Sequence, residues 1–231
     1  MKPYKHIFFD LDNTLWDFER NSTETLTELY EKFELHKLGI KSAHEFIAKY
    51  NIRNTMMWEQ YRLGKIDKET LRNKRFAFTF WDMGIEAELI PPQLADMYIE
   101  MSPKKNHLFP EAAETLAYLH SKYILHIITN GFMEVQYIKL ESADIKKYFK
   151  NIIISEHTGY RKPDVNIFHY ALKSCDACAE ECLMVGDGLE VDIIGARNAG
   201  WDTVYFNPRG LPHEEVITHE IKNLNELRSF L

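Results

Sequence analysis

Two rhythms of apolar positions divide this chain. At the amino end, His6 to Asp10 is short and apolar, the pattern of a buried strand. From about Asp17 to Met101 the spacing becomes helical. Leu26, Leu29, Tyr30 and Phe33 recur at three- and four-residue steps. Phe46, Tyr50, Met57 and Tyr61 do the same, then Leu71, Arg75, Phe78 and Trp81, then Leu94, Met97 and Met101. Gly39, Gly64, Gly84 and Pro91-Pro92 interrupt the pattern. A bundle of about four helices is predicted here.

From Pro103 onward helices and strands alternate. Helices are predicted over 112–122, 133–141, 165–174, 192–198 and 224–230. Strands are predicted over 124–128, 152–154, 182–185 and 203–206. Such alternation demands right-handed crossovers and a parallel sheet with helices on both faces. The first strand belongs to that sheet, since an isolated strand is not stable. The predicted architecture is an α/β, Rossmann-like core over residues 1–16 and 102–231, with residues 17–101 inserted as a helical-bundle cap.

Polar signals follow the apolar runs. Asp10-Leu-Asp12-Asn-Thr14 follows the first strand, Thr129-Asn130-Gly131 the second and Gly186-Asp187 the fourth, while Lys162-Pro163 lies between a strand and a helix. Strands of a parallel sheet bring their carboxyl ends to one edge, where ligands bind. One Asp alone is more often a turn former or helix cap. Residues two apart on an extended backbone point the same way, so Asp10 and Asp12 would repel unless a cation or shared proton relieved them. A magnesium ion fits that need. Asp187-Gly188 and Asn130-Gly131 are also turn pairs, but each precedes a helical segment rather than a second strand. Asp192 either caps its helix or supports a nearby metal. Thr129 with the amides after it makes a phosphate cradle. Arg161 and Lys162 are equally placed to supply a cation.

Composition narrows the function classes. The formal net charge of −7 over 231 residues disfavours a nucleic-acid polymer as partner. No apolar run approaches the roughly 20 residues of a membrane span, and the amino end turns acidic before a signal-peptide core could form. A cytoplasmic protein without a membrane partner is expected. Cys175, Cys178 and Cys182 include a C-x-x-C, but no fourth thiol or neighbouring histidine completes a zinc set in the sequence.

Phe8-Phe9-Asp10-Leu-Asp12-Asn13-Thr14-Leu15 resembles the first signature of the haloacid dehalogenase-like (HAD) hydrolase superfamily. Ile128 to Gly131 resembles the second signature, Lys162-Pro163 the third, and Val185-Gly186-Asp187 through Asp192 the fourth. Thr129 to Phe132, Ile154-Ser-Glu156 and Asp192 to Gly200 are similar to the pyrimidine 5′-nucleotidase subgroup. Gly188 stands where many relatives carry Thr, Ser or Asn. The resemblance implies a Mg2+-dependent phosphatase acting on a small phosphate monoester, expected to be a pyrimidine nucleoside monophosphate. Asp10 would be the nucleophile and Asp12 the acid and base. Asp10, Asp187 and the carbonyl of Asp12 would hold Mg2+, with Asp192 behind them. Lys162, Thr129 and the amide of Asn130 would hold phosphoryl oxygens. Asp12 favours phosphate over a halogenated substrate, because a halide leaves without a proton. Trp16, Phe18, Trp58, Tyr61 and Arg62 are candidates for touching a base or sugar, although packing explains each more simply. A sugar-phosphate phosphatase or phosphomutase of the same superfamily is the alternative enzyme. A catalytically silent phosphate-binding protein is the alternative of another class.

Overall fold

Six short runs pair into one parallel sheet: β1 His6–Phe9, β2 Ile124–Thr129, β3 Phe149–Ile154, β4 Cys182–Gly186, β5 Asp202–Phe206 and β6 His219–Ile221. The computed structural model describes residues 4–231; part of the amino-terminal stretch read above for targeting signals, residues 1–3, lies outside them. The strand order is β3-β2-β1-β4-β5-β6. β1 is central, with Phe9 level with Ile127 on one side and Val185 on the other. The strand order reverses around β1, so a crevice opens beyond its carboxyl end.

Alternation along the strands feeds two cores. Ile7, Phe9, Leu125, Ile127, Leu183 and Val185 face one side, against Leu116 and Leu119 of α5 Ala112–His120. Phe8, Ile128 and Met184 face the other, against Ile167, Phe168 and Ala171 of helix Val165–Cys175. Each such side chain contributes about 1.5–3 kcal/mol on burial. The sheet is therefore rigid where its strand ends present the polar residues.

The chain forms two compact units, residues 1–18 with 106–231 and residues 19–105. The second holds most of α1 Phe18–Lys32, then α2 Ala43–Arg62, α3 Lys68–Trp81 and α4 Leu94–Met101. Leu26, Leu29, Phe46, Tyr50, Phe76, Phe80, Leu94 and Tyr98 make its core. Ser42 caps α2 and Asp67 caps α3 through their side-chain oxygens. One stripe differs from expectation. α3 buries Leu71, Arg75, Phe76, Thr79 and Phe80, while Trp81 is 75% exposed. Arg75 is buried because its guanidinium lies over the rings of Tyr50, Phe76 and Tyr98.

The helix expected over 192–198 begins earlier, as a π-helical segment Leu189–Ile194 that runs into Gly195–Asn198. The expected final helix is a tighter 3₁₀ run, Leu224–Ser229. Cys175 does meet a histidine: its Sγ lies 3.5 Å from His126 Nδ1, a ring brought over from β2. Among the described residues no helix is long and apolar enough to cross a membrane.

Candidate active site

Asp10 is the first residue past β1. Its amide donates to the Val185 carbonyl at 2.9 Å, which ties the turn to β4. Its side chain is buried and accepts from the Lys162 ammonium at 2.6 Å. The same ammonium donates to Asp192 at 2.6 Å and to the Ile128 carbonyl at 2.8 Å. All three of its hydrogens are thus engaged, so a phosphoryl oxygen could bond it only by displacing one. The structure also separates the two cations that the sequence left equal: Lys162 points into the crevice and is 1% exposed.

Asp187 follows β4, and Thr14 binds it to the first loop. The Thr14 hydroxyl lies 3.1 Å from Asp187 Oδ1 and 3.5 Å from Asp10 Oδ2, and it accepts from the Asp187 amide at 3.0 Å. Asp192, expected behind the metal ligands, brings its own carboxylate to them. Oxygens of Asp10, Asp187 and Asp192 all lie within 4.8 Å of one another. A β-carbon on Gly186 would stand 2.4 Å from Asp192 Oδ2, so the glycine leaves space for that carboxylate. The Gly188 amide then donates to it at 2.9 Å.

Three carboxylates face one ammonium here, so full ionisation would leave two negative charges in excess. Burial pushes the Asp10 carboxyl up to about 7 even though Lys162 pulls it down, and Asp192 adds to the rise. Burial also raises Asp187, reinforced by Asp10 and Asp192. Burial alone would lower the Lys162 ammonium, but Asp10 and Asp192 together hold it above its ordinary value, so it stays charged. Hard oxygen donors, burial and uncompensated charge are what a divalent cation such as Mg2+ requires, and these residues fit one.

Asp12 does not share this arrangement. The chain leaves extended geometry after Phe9, where the amides of Leu15 and Trp16 turn back onto the Leu11 carbonyl. Asp12 still stands close enough to Asp10 for its charge to add to the rise of the Asp10 carboxyl. Its own carboxylate accepts from Lys139 at 2.6 Å and from Gln136 at 3.0 Å. Both donors sit on α6 Met133–Ser142. Thr129 ends β2, and its hydroxyl accepts from the Gly131 amide at 3.0 Å. The Asn130 side chain spends both its polar atoms on the Lys162 backbone.

Trp16 and Tyr61 are buried, and Trp58 packs edge-on against Tyr61. Thr14, Gln136 and Lys139 were not anticipated. A signal existed for the last two: polar residues three apart on a helix starting just past the Thr129 loop share one face.

The family model described as haloacid dehalogenase-like hydrolase matches residues 4–200. The pyrimidine 5′-nucleotidase YjjG of Escherichia coli is 32% identical, over 97% of this chain and 96% of that protein. The pyrimidine 5′-nucleotidase PynA of Streptococcus pneumoniae is 30% identical, over 97% and 93%. Among solved structures, magnesium-bound YfnB from Bacillus subtilis superposes with a TM-score of 0.88 at 30% identity. The match covers 99% of this chain and 98% of that one.

Proposed function

The chain belongs to the haloacid dehalogenase-like hydrolases and is a phosphatase, and from that premise we propose that it is a Mg2+-dependent 5′-nucleotidase for pyrimidine nucleoside monophosphates. The reading rests on one observation above the rest. Asp10 lies in a buried cluster where three carboxylates share one ammonium, whereas Asp12, two residues on, has a lysine of its own. Two carboxylates in two such environments can take two roles.

An oxygen of Asp10 attacks phosphorus while the ester P–O bond breaks, and the departing oxygen takes a proton from Asp12. Water then attacks the aspartyl-phosphate and passes a proton to Asp12. The bond from phosphorus to Asp10 breaks, freeing inorganic phosphate and restoring the carboxylate. Magnesium, held by Asp10, Asp187 and the Asp12 carbonyl with Asp192 beside them, would supply the positive charge that lets a carboxylate approach an anionic phosphate. Lys162 keeps Asp10 oriented, and by giving up one of its present acceptors it would hold a phosphoryl oxygen together with the Thr129 hydroxyl and the Asn130 backbone amide. A reaction that releases halide has no use for a proton donor at Asp12.

The nucleotide assignment draws on the similarity to YjjG and PynA. Phosphate release across nucleoside monophosphates and sugar phosphates, with Mg2+ and then with chelator, tests it. Pyrimidine nucleotides should rank among the best substrates, and chelation should abolish release. If they rank among the worst, the 5′-nucleotidase reading is lost and the sugar-phosphate alternative gains.

A further inference from the structure

Asp12 is the one member of the expected catalytic set whose carboxylate is held by a different helix and a different cation. Lys139 is 6% exposed and Gln136 is fully buried. The Lys139 ammonium lies 4.5 Å from the ring centre of Trp16 and 5.9 Å from that of Phe18. An ammonium so deeply desolvated is costly unless a carboxylate answers it. Among the described residues, Asp12 is the carboxylate that does. Gln136 closes the other side, so each oxygen of Asp12 has its own donor.

A second observation shows that the loop makes room for this. A β-carbon on Gly131 would fall 1.4 Å from Gln136 Nε2 and 2.5 Å from its Cδ. The Gln136 side chain therefore passes through the space left open by the glycine of Thr129-Asn130-Gly131 on its way to Asp12. Phe132 accepts the first backbone bonds of α6, from Val135 and Gln136, so the helix begins as soon as that loop ends. Residues 136 and 139 then fall on one face by helical spacing.

We propose that Gln136 and Lys139 are positioning residues that aim the Asp12 carboxyl group at the leaving oxygen of the substrate. The proposal rests on the reading of Asp12 as acid and base given above. With both oxygens bound, rotation of the carboxyl group is fixed. Its side chain is otherwise 26% exposed, and without the pair it would turn toward water. Neither residue touches the reacting atoms; both act through Asp12.

A pair of substrates of similar shape separates this role from a merely structural one. Benzyl phosphate leaves as a basic alkoxide that needs the proton of Asp12. p-Nitrophenyl phosphate leaves as a stable phenolate that does not. In Lys139→Met and Gln136→Leu, kcat/KM for benzyl phosphate should fall roughly 10- to 100-fold, a partial loss reaching the lower end of what general-acid catalysis contributes, with that for p-nitrophenyl phosphate nearly unchanged. The water step needs Asp12 whichever group has left, so phosphorylated enzyme should accumulate and p-nitrophenolate should appear in a burst. Lys139→Arg should recover part of the loss. Gln136→Leu exchanges neutral for neutral and carries the same test should Lys139→Met fold poorly. Equal losses on both substrates, or none, would overturn the proposal. A wild-type protein that released phosphate from neither would instead sink the phosphatase reading beneath it.

Discussion

Asn130 grips the backbone of Lys162 from both sides. Its carbonyl accepts from the Lys162 amide at 2.9 Å and its amide donates to the Lys162 carbonyl at 2.8 Å. The residue beside the presumed phosphate cradle thus fixes where the ammonium of the third motif stands. Asn130→Ala removes both bonds and leaves two backbone groups in a partly buried place without partners. Unfolding free energy should fall by about 1–3 kcal/mol. Because the ammonium would drift, kcat should fall about 10²-fold, as misplacement by an ångström commonly does. Urea denaturation and steady-state phosphate release check the two effects. Lost stability with unaltered kcat would separate the clamp from catalysis.

Asp10 carries the covalent step in our reading. Asp10→Asn keeps the shape of the side chain and removes the attacking charge. The rate should fall by at least ~10³-fold, since a nucleophile acts as part of a unit. Phosphate release by protein whose melting curve remains cooperative is the measurement. An unchanged rate would falsify the assignment of Asp10.

Magnesium should stabilise this protein more at higher pH. Folding raises Asp10 to about 7 and also raises Asp187, mainly through burial. Unfolded carboxylates titrate near 4. Between those values the folded state binds more protons, so without metal its stability declines as pH rises, by up to ~1.4 kcal/mol per pH unit for each proton. Below that window both states are protonated and the penalty vanishes. The rise in melting temperature on adding Mg2+ should therefore be larger at pH 8 than at pH 5. Equal shifts would mean that these carboxylates do not form the metal site.

Gly186 is needed for space, not for a special backbone angle. A methyl group there would overlap Asp192 Oδ2 at 2.4 Å and its Cγ at 2.6 Å. Asp192 holds Lys162 and receives the Gly188 amide, so it cannot move alone. Gly186→Ala should cost about 1–3 kcal/mol of stability, the usual penalty for overpacking, and should lower kcat with it. Full activity and stability in this variant would show that Asp192 has somewhere else to go.

Legibility in the sequence followed the type of interaction. The central strands could be read because β1, β2 and β4 are buried on both faces and so are predominantly apolar, with His6 and His126 as the interruptions. β6 could not: its residues are His219, Glu220 and Ile221, and it is a strand only because β5 offers an edge to pair with. Asp10, Lys162, Asp187 and Asp192 were legible because each follows an apolar run or opens a helical one, and the structure gathers them. The partners of Asp12 were not legible, because Gln136 and Lys139 lie 124 and 127 residues further along the chain. Thr14 was hidden for a related reason: besides Asp10, four residues back, it meets Asp187, 173 residues away, a contact no local pattern encodes.

A pair of buried histidines gives the fold an acid limit independent of the carboxylates. His126 Nε2 lies 3.0 Å from His6 Nδ1, and the His126 ring stacks on Phe8 with centroids 4.5 Å apart. Burial pushes His126 down to about 3, helped by His6 and Lys150; burial likewise lowers His6. Both rings are neutral in the folded protein at neutral pH. In the unfolded chain each takes a proton near 6.5. The unfolded state therefore binds more protons below that value, and for His126 stability falls as pH drops from about 6.5 toward about 3, by up to ~1.4 kcal/mol per unit, with His6 adding in the same direction. His126→Phe keeps a ring against Phe8 and removes the titration. Its unfolding free energy should fall less steeply between pH 6 and pH 4 than that of the wild type, measured by urea denaturation at each pH. The comparison of slopes matters, since carboxylates titrate in both proteins over the same range. Identical slopes would mean that His126 contributes no acid sensitivity to the fold.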